Sequence, residues 1–258
     1  MPELPDIQVF SSNLKLLFAG KKLNKITVVN GKKLQDTQKE LSASLEGKIL
    51  KDIYRSGKEI RLLFSGNTLL GMHLMLTGDI LPFDITNESK FSIVELYFSN
   101  SKGFALTDRM RNANVRLNPE DKNGIDALDK GLNYKYLKSI FNRKAKVKNI
   151  LLDQNFIRGI GNSYSDEILW LTKVSPFSVC EAIPDEKIKE LALNIKKVLR
   201  KEIANIMKKY PGLIHGEVKD FMKIHTRHKT HSPTGFPIKM EKRGMMKTYY
   251  TDEQELYV

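Results

Sequence analysis

Cysteine is all but missing from this chain: Cys180 is the only one in 258 residues. A lone thiol makes no intrachain disulfide and no cysteine-based zinc cage, so neither device staples the fold. Also missing is any apolar run near the ~18 residues that a membrane-spanning helix requires. The opening Met-Pro-Glu-Leu-Pro-Asp has neither the basic start nor the apolar core of a signal peptide, which sets the expectation of a cytoplasmic protein. Acidic residues are outnumbered, 30 Asp+Glu against 43 Lys+Arg, for a formal net charge of +13. An excess of that size points to nucleic acid as the partner rather than a membrane. What is present, 41% apolar and 28% charged residues, is a globular composition long enough for one large domain or two.

The hydrophobic period changes along the chain. Ile7, Phe10, Leu14, Leu17 and Phe18 recur at helical steps, with Pro5 suited to the first turn and Gly20 to the C-terminal cap. Alternating or β-branched runs follow at 25–29, 48–54, 59–64, 68–74, 91–98 and 113–117, with turn residues at 65–67 and 99–103. Short strands with tight connections predict a sandwich or barrel. The polar stretch 118–133 reads as a linker. Beyond it the period is helical, at 134–142, at 147–154, from about 162, and from Pro184 to about Lys208. The last carries Ile188, Leu191, Ile195, Leu199 and Ile206 on one stripe, acids in its first turn and lysines at its end, as the helix dipole favours. A basic, His-bearing tail follows, with a hairpin expected around 237–238 and 248–250. The expected organisation is a β-rich domain over 1–120, a helical domain over 134–210 and a small appendix over 211–258.

Two features carry chemistry. Methionine before proline is normally removed, which would leave Pro2 as a terminal secondary amine. Such an amine attacks carbonyl-type carbon and forms an iminium without further activation, and Glu3 beside it suits general acid–base work. The bland alternative is a tolerated start. The second feature is Leu151-Leu152-Asp153-Gln154, then Gly159-Ile160-Gly161-Asn162, then Tyr164 and Glu167-Ile168-Leu169. It predicts two helices around a glycine-bearing turn, with Asn162 capping the second and facing phosphate. The spacing His225-x-x-His228-x-x-His231 invites a metal, but no closed fourth ligand accompanies it, and a basic loop is the reading preferred. Cys180, Trp170 and the methionines read as packing residues.

Taken together, Pro2-Glu3-Leu4-Pro5-Asp6 and the Gln154–Leu169 motif resemble the Fpg/Nei family, the formamidopyrimidine-DNA glycosylases and endonuclease VIII. The resemblance runs in register along nearly the whole chain: Arg55-Ser56-Gly57-Lys58, His73-Leu74-Met75-Leu76-Thr77-Gly78 and Thr107-Asp108-Arg109-Met110-Arg111 each resemble a family loop. It implies an α+β architecture: an N-terminal β-sandwich with an N-terminal helix, a helix–two-turn–helix domain, and a C-terminal hairpin. It also implies a bifunctional DNA glycosylase and AP lyase acting on oxidised bases, of the formamidopyrimidine or 8-oxoguanine type, in damaged double-stranded DNA. By this resemblance Pro2 is the nucleophile, Glu3 protonates the sugar ring oxygen, and Lys58 holds a phosphate beside the lesion and assists catalysis. His73, Arg111, Asn162 and Lys247 contact DNA, with Arg243 second to Lys247, while Leu76, Met110 and Asn112 align with the residues that fill the gap left by the extruded base. A monomer with no cofactor, associated with the nucleoid, is expected.

The departures are equally specific. Asp6 stands where the family usually has Glu. The four zinc-ligand positions of the family's finger fall on His231, Thr234, Thr251 and Gln254, so a zincless finger is expected. The alternative function is a DNA- or RNA-binding protein that keeps the fold without catalysis. A metal-dependent nuclease would need a carboxylate cluster that the sequence does not offer.

Overall fold

In a computed structural model that describes all 258 residues, the chain divides into two compact units. The first comprises 1–121 and 206–217, the second 122–205 and 218–258.

The first unit opens with helix α1 (Leu4–Phe18). Glu3 caps it, its backbone N–H donating to Asp6 Oδ2 at 3.0 Å, half of a capping box. Pro5 lies in the first turn, and Gly20, at φ +82°, follows the last. Strands β1 (Leu23–Val28), β2 (Leu50–Ser56), β3 (Glu59–Phe64), β4 (Leu69–His73), β5 (Gly78–Asp84), β6 (Ser92–Phe98), β7 (Lys102–Asp108) and β8 (Asn114–Leu117) form two four-stranded antiparallel sheets. Their orders are β1-β6-β7-β5 and β2-β3-β4-β8. Register is set where apolar partners meet, as at Leu96↔Phe104 and Leu62↔Leu70. One core joins Ile7, Phe10, Leu14 and Phe18 of α1 to Ile26, Ile53, Leu62, Leu96 and Phe104 of the sheets. The segment 206–217 belongs to this unit because Ile214 is buried in the same core and Asn13 Nδ2 donates to the Leu213 carbonyl at 2.7 Å.

Three elements escaped the sequence pattern. Strand β5 contains Pro82, which normally argues against a strand; it is tolerated because β5 is an edge strand. Strand β7 is buried from Gly103 through Asp108, so it shows no alternation between faces. A helix at Gln38–Leu45 is announced by Thr37 and Glu40, a capping box with Glu40 Oε2 accepting from the Thr37 N–H at 2.8 Å.

In the second unit, α-helices run over Tyr134–Phe141, Val147–Leu152, Asn162–Thr172 and Asp185–Lys209, the last spanning the division between units. The 118–133 stretch is more than a linker, since Ile125–Asp126 pairs in parallel with Ile157–Arg158. Gln154 closes the turn between the second and third helices: its Nε2 donates to the Leu152 and Ile160 carbonyls at 2.9 Å each, and its Oε1 accepts from Gly159 N–H at 2.8 Å. Gly159 sits at φ +105°, a backbone conformation that a side chain would disfavour. The hairpin pairs Lys239–Arg243 with Met246–Tyr250, a few residues from the expected positions, around Gly244 at φ +59°. No helix is long and apolar enough to cross a membrane.

Candidate active site and nucleic-acid interface

In the first unit the chemistry starts at the N-terminus. Glu3 is 3% exposed and Asp6 is buried beside it, so the residues flanking Pro2 are held by the cap and by the packing of Leu4 and Ile7. The shorter Asp6 still makes the capping bond, which answers what the change from Glu does here. The terminal amine of Met1 lies 3.1 Å from Glu217 Oε2. Lys58 follows Gly57 in the tight turn between β2 and β3, at φ +59° for the glycine, and Arg55 Nη1 donates to the Gly57 carbonyl at 2.9 Å. The Arg55 Nε also donates to Gln8 Oε1 of α1 at 3.1 Å, which ties the Lys58 turn to the N-terminal helix.

His73 ends β4 and its Nδ1 accepts the Met75 N–H at 3.0 Å, which fixes the start of the 74–77 loop. That loop and the 109–112 loop are joined through Asp108. Its carboxylate accepts from Thr77 Oγ1 at 2.5 Å and from the backbone N–H groups of Met110, Asn112 and Ala113 at 2.9, 2.6 and 2.8 Å. Burial alone would push the Asp108 carboxyl up, but these four donors outweigh it and hold it below its ordinary value. The fixed loops leave Leu76 and Met110 half exposed, at 49% and 54%, and Arg111 exposed at φ +55°. Asn112 is different: it is partly buried and its side chain accepts from Lys33.

In the second unit Gly161, not Asn162, caps the third helix. Asn162 is the first helical residue, and its Nδ2 donates to the Lys247 carbonyl at 2.9 Å, which brings Asn162 and the hairpin together. A concavity of about 680 Å³ there is lined by Asn162, Lys219, Arg227, Lys229 and Lys247 among others, four cations against the one acid Asp220. Arg243 is not among its walls, and its Nε is paired with Glu241 Oε1 at 2.7 Å.

A buried polar cluster fixes this arrangement. Asp166 Oδ1 meets Lys148 Nζ at 2.5 Å, and its Oδ2 accepts from His225 Nδ1 at 2.7 Å and from the Tyr249 N–H at 2.9 Å. A carboxylate only accepts, so His225 carries its proton on Nδ1. Glu167, next in the chain, takes the N–H groups of Lys223, Ile224 and His225 at 2.8–2.9 Å. Burial raises the Glu167 carboxyl more than those N–H groups lower it. Lys148 and Asp166 were legible only as a basic run and a helical residue, because their partners lie up to 100 residues away.

The family's zinc has no fitting site here. Thr234, Thr251 and Gln254 offer no zinc-type donor, and they are committed elsewhere. Thr251 N–H donates to Gln254 Oε1, and Gln254 Nε2 to the Val174 carbonyl, each at 2.9 Å. Thr234 Oγ1 bonds Glu253 at 2.7 Å, and Glu253 also takes Lys173 Nζ at 2.7 Å and the Trp170 indole N–H. The three histidines do not converge: His225 is buried on Asp166, while His228 and His231 are exposed. No group of three or more His, Cys, Asp or Glu side chains is placed to hold a metal.

Comparison with known proteins supplies the relationship. The profile of the formamidopyrimidine-DNA glycosylase N-terminal domain matches residues 1–115, and that of the formamidopyrimidine-DNA glycosylase H2TH domain matches 124–210. The chain is 30% identical over 247 residues to the formamidopyrimidine-DNA glycosylase of Mycoplasma genitalium, covering 88% of this chain and 86% of that protein. It is 30% identical over 217 residues to the one from Chloroflexus aurantiacus, covering 80% and 77%. In fold it is similar to Lactococcus lactis Fpg solved with abasic-site DNA, at TM-score 0.85 and 20% identity over 96% of this chain and 97% of that one. It is similar also to MutM solved with DNA containing carbocyclic 8-oxo-G, at TM-score 0.87 and 22% identity over 97% and 98%. With two domain profiles in order and relatives at 30% identity over most of both chains, this chain belongs to the formamidopyrimidine-DNA glycosylase family.

Proposed function

We propose that this DNA-repair glycosylase is bifunctional, removing oxidised bases of the formamidopyrimidine or 8-oxoguanine type and then cleaving the strand as an AP lyase. The observation that carries the reading is the placement of Glu3: a buried carboxyl at the cap of α1, next to a proline that becomes the terminal amine once Met1 is removed. A nucleophile on a helix start is held far more firmly than one on a free terminus, and fixed orientation is worth much of a barrier.

In this reading the Pro2 amine attacks C1′ of the damaged nucleotide as the base leaves with its bonding electrons. Glu3 protonates O4′ as the sugar ring opens to the iminium. The iminium then acidifies C2′, and elimination breaks the strand. Lys58 holds a phosphate from the β2–β3 turn, with His73 and Arg111 as further DNA contacts of the first unit. In the second unit Asn162 and Lys247 engage backbone phosphate; Lys247 is preferred to Arg243 because it stands at the Asn162 concavity while Arg243 is paired with Glu241. Leu76 and Met110 are exposed apolar side chains on loops fixed by Asp108, suited to fill the gap left by an extruded base. Extrusion itself costs a few kcal/mol, least for a base already weakened by damage.

Borohydride trapping on duplexes carrying one abasic site or one oxidised base tests this. A covalent complex is expected with the wild type, none with Pro2→Gly, and a strongly reduced one on lesion duplex with Glu3→Gln. Intact mass should show loss of Met1. A wild type that binds duplex but never traps would instead be a DNA-binding protein without this catalysis.

A further inference from the structure

Schiff-base chemistry at a secondary amine has a proton requirement that Glu3 does not meet. The amine nitrogen carries one hydrogen. When it bonds to C1′ and the glycosidic bond breaks, the electron pair leaves on the base, which takes a proton from water. The nitrogen then holds four bonds, and it must release its hydrogen before its lone pair can form the C1′=N bond and expel O4′. One proton therefore leaves nitrogen while another arrives at O4′. A carboxyl that is protonated to serve O4′ cannot at the same time be the ionised acceptor for nitrogen, so two groups are needed.

We propose that Glu217 is the acceptor, a catalytic residue that removes the proton from the terminal amine; this rests on the Pro2 reading above. Its Oε2 is 3.1 Å from the terminal nitrogen of the chain that still bears Met1. The Pro2 nitrogen is the next backbone nitrogen, no more than about 3.6 Å further along the chain. That interval is within the swing of a glutamate side chain 27% exposed. The carboxylate is also delivered by a built segment rather than a loose one. Ile214 is buried in the core of the first unit, Asn13 of α1 donates to the Leu213 carbonyl at 2.7 Å, and Gly216 N–H donates to Asp79 Oδ1 of β5 at 2.8 Å. Glu217 follows directly, so the helix that starts with the nucleophile and the strand β5 both fix its backbone. The other acids near the N-terminus are engaged in the helix cap, Glu3 and Asp6 with each other's backbone. In the cycle the Pro2 N–H proton passes to the Glu217 carboxylate, and hydrolysis of the final adduct returns it to water.

The test uses the full, processed enzyme and an abasic-site duplex at saturating concentration, reading the single-turnover rate of borohydride-trapped adduct. Glu217→Ala should slow adduct formation by about a hundredfold or more, the scale of a lost general base. Affinity for duplex with a stable tetrahydrofuran site, whose C1′ has no leaving group and cannot open to an aldehyde, should stay within about threefold, so the loss falls on the chemical step and not on binding. Glu217→Asp should recover part of the rate, and added formate should speed Glu217→Ala without affecting the wild type. The isosteric Glu217→Gln, checked by circular dichroism, serves if the alanine variant folds poorly. Adduct formation by Glu217→Ala and Glu217→Gln at wild-type speed overturns the proposal, as does a loss that neither Asp nor formate relieves. In those cases trapping by the wild type leaves the Pro2 mechanism standing; a wild type that does not trap removes both.

Discussion

Replacing Asp166 by alanine is the sharpest perturbation of the second unit. Lys148 and Asp166 have side chains 4% and 0% exposed, and Asp166 also accepts from His225 Nδ1 and Tyr249 N–H. Alanine therefore leaves an ammonium in a sealed space and takes the acceptor from two further donors. Breaking a buried pair in this way costs about 3–5 kcal/mol, far more than a surface pair, because the remaining charge stays desolvated. At 2–4 °C per kcal/mol for a chain of this size, the affected transition should fall by roughly 6–20 °C. Thermal unfolding followed by circular dichroism measures the shift and urea unfolding the free energy, each read on the transition the mutation moves, since two units need not unfold together. Hydrogen exchange supplies a local readout: the Tyr249 amide, bonded to Asp166 Oδ2, should lose protection before the core of the first unit does. The control is Lys148→Met with Asp166→Leu, which removes both charges and should recover much of the loss, because apolar replacement of a buried pair is often neutral. A loss below about 1 kcal/mol for Asp166→Ala, or a double variant no better than the single one, would refute the reasoning.

Other outcomes follow from the same physical terms. Glu202 is raised by burial and by the charge of Glu167, so Glu202→Gln should stabilise the protein at neutral pH. A carboxyl with a raised folded-state value is penalised only when ionised, so the gain should shrink as pH falls toward the ordinary glutamate value of 4.5, and a gain that persists below it would contradict this. Burial pushes the Cys180 thiol up to about 12 against the pull of Arg143, so it should resist Ellman's reagent in the native protein and react on unfolding. Chelators should leave both activity and hairpin intact. Glu253→Ala, by contrast, should loosen the finger by about 1.5–3 kcal/mol, the range for hydrogen bonds to a charged group, seen as faster exchange in 239–250.

What the sequence displays and what it conceals divides along the range of the interactions involved. Helix α1 is readable because its apolar steps, Pro5 and Gly20 are all local, and the turn at 159–161 is readable because glycine there meets a conformational need. Gln38–Leu45 escaped the hydrophobic pattern, yet its signal is local as well, since Thr37 and Glu40 of the capping box lie three residues apart. Strands β5 and β7 were hidden by rules that hold on average: proline is excluded from strands with two neighbours, and alternation is expected where one face is wet. Neither condition applies to an edge strand or to one buried almost throughout. Asn162 shows how near a local reading can come while missing the contact that matters. Asparagine favours helix caps, so the cap was expected there. With Gly161 taking that place, the amide turns to the Lys247 carbonyl 85 residues on, and the same residue ties the Asn162–Thr172 helix to the hairpin. The finger extends the point. Its missing cysteines are visible at once, but what replaces them is not, because Glu253 finds Lys173, Trp170 and Thr234 only after folding. Zinc is a strong, local constraint written in four residues; a polar network that does the same job is spread over 80 positions of chain and carries no motif. That is why this chain is matched by its N-terminal domain over 1–115 and its helical domain over 124–210, while its hairpin region has to be read from the contacts.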